Sequence, residues 1–324
     1  MAEPTAGTSL TRAAEGLIAI VLVLLLAFIP LVASTYLIRI LTGIFLFVAL
    51  ASAWNLIGGY AGYADFGPTA FLGIGAYTTG ILMTQAHMPF PLALAAGGLC
   101  AMGAAAGIGA VLLRLRGHYF AIASLGFMLV MEQVAANLEI TGGGSGMNLP
   151  VARGFTPFYY WMLTLALAAI GTGALVPRLR AGYALGAIRG NQEAAQVVGV
   201  RPLPYKVLAY VGSALFFALA GGVYAYWFTF IDPPTVFDPD FGIQAIVMVL
   251  FGGAGTVLGP AGGAIVLKSL DILLTNTSGL LHNVFFGGLI CVLVLFAPRG
   301  LVELLRAGRR HLPDRRRLQR SGAG

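Results

Sequence analysis

The sequence predicts an all-α, polytopic membrane protein of about 8–10 transmembrane helices, each built from roughly 20 apolar residues. Three observations predict it. Hydrophobic residues make up 58% of the 324 and charged residues only 10%, against about 45–50% and about 25% in a soluble domain. Apolar runs long enough to span a bilayer recur along the chain, with no polar block large enough for a soluble domain between them. When those runs are threaded in order, 16 of the 19 lysines and arginines fall on one side.

The predicted spans are 15–33, 36–57, 68–86, 91–113, 119–138, 158–176, 207–230, 241–258, 259–275 and 283–298. The stretch 241–275 reads either as two spans or as one span with a re-entrant turn, because Gly252, Gly253, Gly255 and Gly259 interrupt it. The first run follows Arg12 without a clear cleavage site, so it reads as a span and not as a signal peptide. Cys100 and Cys291 lie in separate apolar runs and read as small buried hydrophobes.

Lysine and arginine mark the cytoplasmic face. With both termini placed inside, that face receives Arg12, Arg114, Arg116, Arg178, Arg180, Arg189, Arg201, Lys206 and the eight arginines from Arg299 to Arg320. The opposite face receives Glu139, Asp232, Asp238 and Asp240. The net charge of +7 therefore marks topology and contact with anionic lipid, and gives no reason to expect nucleic acid as a partner.

Two polar regions stand out. Residues 139–157 carry Thr141 to Gly146 without the GxxxxGK[ST] spacing of a phosphate cradle, and read as a flexible external loop. Residues 177–206 form the longest internal loop. A short helix is predicted over Tyr183–Arg189 and a second over Gln192–Val198, opened by Asn191 as N-cap with Glu193 near its positive end. Gly199 closes the second helix in the left-handed conformation, and Pro202 and Pro204 prevent its continuation. Ala194, Ala195 and Val198 are expected on one face, small enough for a partner surface to approach.

Glu193, Ala194 and Ala195, followed after three residues by Gly199, resemble the EAA motif of ABC-importer permeases. The surrounding stretch Ala187–Ala195 with Tyr205–Lys206 is similar to the version in LivM-type branched-chain amino acid permeases. So is the glycine-rich run Asn55–Gly62, Gly67 and Ala70–Thr78, except that Tyr63, Asp65 and Pro68 stand where that family commonly has Gln, Ser and His. Phe251–Thr256 with Gly259, Pro260, Gly263 and Ala264 resembles a late signature, and Ala297–Leu301 the C-terminal end. The likeness spans roughly residues 36–306.

That resemblance implies a permease domain over 1–306 with its cytoplasmic coupling loop at 177–206; the basic tail at 307–324 matches nothing in the family and is placed in the cytoplasm by its arginines. It implies a multi-pass subunit of the plasma (inner) membrane that carries branched-chain amino acids or related small polar solutes. Its partners would be a second permease subunit, two cytoplasmic ATPase subunits and an external solute-binding protein. Arg189, Glu193, Ala194, Ala195 and Gly199 would couple it to the ATPases.

Gly73, Gly75, Gly80, Gly252, Gly255 and Gly259 are expected to let helices approach closely. The segment 58–68 reads as non-helical backbone beside a cavity. Asn55, Asp65 and Glu132 are the candidates for a translocation pathway, and Lys268 and Asp271 are expected to pair three residues apart. The alternative is an ion-coupled secondary transporter that uses Glu132, Lys268 and Asp271 without an ATPase. No Walker A run, GxSxG elbow or HExxH spacing is present, so no enzyme activity, metal or cofactor is expected.

Overall fold

A computed structural model describes residues 23–275 apart from Arg153, together with Val21 and Gly288. The predicted span 283–298, the tail 307–324, Cys291 and the start of the first span lie outside the described residues.

The helices are α1 (Val23–Val32), α2 (Thr35–Trp54), α3 (Thr69–Thr84), α4 (Phe90–Leu112), α5 (His118–Asn137) and α6 (Thr156–Leu175). After these come α7 (Arg180–Gly190), α8 (Gln192–Val197), α9 (Pro202–Phe228), α10 (Pro233–Val236), α11 (Pro239–Gly252) and α12 (Gly259–Thr275). Six segments are long and apolar enough to cross a membrane. The chain is thus a multi-pass α-helical membrane protein, as its composition predicts. The 241–275 stretch is a helical hairpin of α11 and α12 joined by a turn. At 16 and 14 residues, α3 and α11 are only about 24 and 21 Å long, short of a hydrocarbon core of about 30 Å.

Helix α2 runs through the centre, with 83% of its most apolar stretch buried; among the six long segments α5 is the least buried, at 22%. Lipid supplies no hydrophobic drive between helices, so close backbone contact must hold them together. The crossing of α3 and α9 shows how. A β-carbon on Gly75 would collide with the backbone of Ala218, and one on Gly221 with the backbone of Leu72. The α11–α12 hairpin closes the same way, with Gly252 against the Gly259 carbonyl and Gly263 against that of Met248. Cys100 departs from expectation: it lies exposed on the outer face of α4, where a small apolar thiol suits a lipid-facing surface.

The helix ends sort by charge. The linker 113–117, the 176–201 loop and the 253–258 turn gather at one end with Arg114, Arg116, Arg178, Arg180, Arg189 and Arg201. The other end carries Glu139, Asp232, Asp238 and Asp240. The 139–157 region, expected as a flexible loop, is tied down at this end. Met147–Asn148 pairs antiparallel with Phe230–Ile231, Leu149 N–H donates to the Thr229 carbonyl at 2.7 Å, and Thr141 and Leu149 are buried. Glycine content signalled mobility; the ladder partner, some 80 residues away, was not visible locally.

Candidate functional site

Helix α2 does not stop at Trp54. It widens into a π-helical turn over Asn55–Tyr60, a feature that frequents functional sites. Gly58 makes room for it, since a side chain there would overlap the Trp54 ring. The chain then runs without regular structure to Pro68. Its backbone is held by specific partners, as irregular backbone in such a protein must be. Trp54 Nε1 donates to the Asp65 carbonyl at 2.8 Å, Gly67 N–H donates to Asp65 Oδ1 at 3.0 Å, and Phe66 N–H donates to Ser124 Oγ at 3.1 Å. Burial pushes the Asp65 carboxyl up to about 6, against the opposing pull of the Gly67 N–H and the Ser124 hydroxyl.

The turn between α11 and α12 meets this segment. Asn55 Nδ2 donates to the Thr256 carbonyl at 2.9 Å, and its Oδ1 accepts from Gly255 N–H at 2.8 Å. Thr256 in turn caps α12: its hydroxyl accepts from Gly259 N–H at 3.1 Å and donates to the Gly253 carbonyl at 2.8 Å. The early and late glycine-rich stretches therefore form one junction.

The long loop rests on that junction. Helix α7 buries Ala184, Leu185 and Ile188, and its Arg189 Nη1 donates to the Gly59 carbonyl at 2.5 Å, with the Ala254 carbonyl at 3.5 Å. The predicted second helix is present as α8. Asn191 Oδ1 accepts from the N–H groups of Glu193 (2.9 Å) and Ala194 (3.0 Å). Gly199 adopts φ +90°, and Val200 N–H bonds back to the Ala195 carbonyl at 3.0 Å, which closes the helix as a left-handed cap does. Glu193 pairs with Arg116 of the α4–α5 linker at 2.9 Å.

One detail of the loop differs from expectation. Ala195 is turned inward at 3% exposure, and the outward face is Ala194, Val197 and Val198. Residues 194, 197 and 198 share the i, i+3, i+4 spacing, whereas 195 sits a quarter-turn away and packs inward.

Asn55 and Asp65, read as pathway candidates, lie buried at this junction and bond to backbone. Glu132 stands apart, half-buried on α5, about 21 Å along the helix from His118 at 1.5 Å per residue. Lys268 and Asp271 pair at 2.6 Å as expected, which leaves them engaged with each other. Tyr63, Arg116, Gln192, Lys206 and Thr256 also belong to the junction and were not read as site residues from sequence. Gln192, Lys206 and Thr256 lie inside the quoted motifs and Tyr63 directly after one, and that placement was the available signal. A cavity of about 420 Å³ between the 61–66 segment, the start of α5 and the loop is lined by Tyr63, Phe66, Arg116, His118, Ile188 and Gln192.

Fold and junction define a polytopic membrane protein whose longest loop at the basic end is fastened to two broken helical turns deep in the chain order. Over residues 36–295 the chain matches the family described as the permease component of branched-chain amino acid transport systems. It belongs to that family. It is similar to the high-affinity branched-chain amino acid transport system permease protein LivM of Escherichia coli strain K12, at 27% identity over 86% of this chain and 72% of that protein. The Salmonella typhimurium LivM is 26% identical over the same shares. No solved structure matches the chain.

Proposed function

We propose that this chain is the membrane-spanning permease subunit of an ATP-binding-cassette importer that carries branched-chain amino acids or related small polar solutes into the cytoplasm. The observation that carries this reading is the seating of the 180–199 loop. Its α8 presents Ala194, Val197 and Val198 outward, while Arg189 grips the carbonyl of Gly59 in the π-helical turn. A partner that moves α8 thereby moves the junction of α2, α3, α11 and α12. Coupling by a docked partner requires such a connection between the docking surface and a bundle with two arrangements.

The basic end faces the cytoplasm in this reading, by the distribution of arginine and lysine. One of the two ATPase subunits docks there on Glu193, Ala194 and Gly199, with Ala195 packed inward beneath them. A second permease subunit completes the pathway, and an external solute-binding protein delivers solute at the acidic end. Glu132 on α5 faces the pathway between the two permeases.

The test is reconstitution of the tagged chain with its ATPases, second permease and binding protein in liposomes. Uptake of radiolabelled leucine that requires ATP, and that Glu193→Arg or Gly199→Val abolishes while ATP hydrolysis persists, is the expected result. Unchanged uptake in both variants, or uptake by the chain alone under an ion gradient, would sink the assignment.

A further inference from the structure

Lys206 is buried to 2% exposure near the start of α9, and among the described residues no carboxylate pairs with it. A buried ammonium without a counter-ion needs other compensation. It is supplied by the Leu113 carbonyl, which accepts from Lys206 Nζ. Leu113 is the C-cap of α4, where unpaired carbonyls and the negative end of the helix dipole gather. Nζ also donates to the Tyr63 hydroxyl at 3.0 Å and lies 4.4 Å from the centre of the Tyr63 ring, whose face attracts a cation.

Tyr63 continues the connection. Its ring packs edge-on against the fully buried Phe120, with centroids 5.4 Å apart. Its hydroxyl lies 2.6 Å from the side-chain amide of Gln192. With the amide nitrogen toward Tyr63, Nε2 donates to that hydroxyl and Oε1 accepts from Arg116 Nε and Nη2, each at 3.2 Å. Arg116 then pairs with Glu193. A chain of five polar side chains therefore runs from the base of α9, through the 61–66 segment and the α4–α5 linker, into α8. The Arg116–Glu193 pair at its far end is exposed and contributes little to stability by itself.

We propose that Lys206 is a positioning residue for coupling: it pins the end of α4 and the 61–66 segment to α8, so that displacement of α8 moves all three together. This rests on the reading of α8 as the ATPase contact. The cost of burying the ammonium is what separates a transmission role from a structural one, because a fold that needed only filling would be served by methionine.

The test uses the full reconstituted importer and measures leucine molecules moved per ATP hydrolysed, alongside recovery of the assembled complex. Lys206→Met removes the charge and keeps the stem. Tyr63→Phe removes one hydroxyl and keeps the ring. Each is expected to lower the transport-to-ATP ratio by about tenfold, the scale of one hydrogen bond to a charged group, with the complex intact. The double variant should be no worse than either single one, since both break the same chain. An unchanged ratio in Tyr63→Phe, or losses that multiply in the double variant, would overturn the proposal; if Lys206→Met fails to assemble, the Tyr63→Phe ratio decides alone. Failure of the wild-type chain to need ATP would instead overturn the importer reading itself.

Discussion

Asn55→Ala tests the junction most directly. The Asn55 amide is 2% exposed and spans the Thr256 carbonyl and the Gly255 N–H. Its removal leaves one acceptor and one donor of the 253–258 turn unpaired. Each orphaned group costs about 1–3 kcal/mol, so the pair together costs about 2–6 kcal/mol. For a chain of this size that lowers the melting midpoint by about 3–9 °C. The assay is heating of the detergent-purified chain followed by size-exclusion recovery of the monodisperse fraction. Asn55→Asp is the discriminating companion. It keeps the acceptor for Gly255 but sets a carboxylate against the Thr256 carbonyl, so it should rescue nothing. A midpoint for Asn55→Ala equal to wild type would refute the claim that this side chain fastens the two turns.

Three further outcomes follow from the same geometry. Asp65 holds its proton more tightly folded than unfolded, since its pKa rises from the ordinary 3.8 to about 6. Its contribution is therefore fully present below about pH 3.8 and lost as the pH rises through about 6; Asp65→Asn should flatten the melting midpoint between about pH 4 and 6 and raise it above pH 6. Gly75→Val drives a branched side chain into the Ala218 backbone and should cost about 3 kcal/mol, the upper end of overpacking, whereas Gly126→Ala, with no atom within 4 Å of the added carbon, should melt as wild type does. Asp271→Asn strips the carboxylate from a pair whose Asp side chain is 5% exposed and should cost about 3 kcal/mol, with Lys268→Met in the same chain recovering most of it; both are read as thermal midpoints.

What was legible in the sequence is what depends on neighbours in the chain. Asn191 as N-cap, Gly199 as the left-handed stop and the Lys268–Asp271 pair each needed only a few residues of context, and each appears in the structure. Span existence was legible because composition and length decide it. The clasp of Asn55 on Gly255 was not, because nothing local says which of 45 glycines will meet an asparagine 200 positions away. The π-helical turn was hidden for a related reason: Gly58 and Gly59 permit many backbones, and the Trp54 ring and Arg189 select among them. The inward turn of Ala195 and the tethering of 139–157 depend on partners that alternation and glycine content do not reveal.

The kind of contact at the junction bears on how it works. Arg189 and Asn55 bond to backbone carbonyls and amides, not to side chains. In the interior of a regular helix those groups are consumed by the i to i−4 ladder, and only at helix ends and in turns are they free. They are available here because α2 widens at Asn55 and α11 stops at Gly253. A guanidinium bonded to such carbonyls reads the shape of the turn itself. If the turn tightens into α-helix, the Gly59 carbonyl rotates away from Arg189, so loop position and turn geometry change together. That reciprocity is what a coupling element requires, since a partner can shift an equilibrium only through contacts that differ between its two states. In the proposed importer the broken helices α2–α3 and α11–α12 are where such a change of turn geometry would fall. The unbroken α9 packs along α3 and α4, held to α3 by the backbone contacts at Gly75 and Gly221.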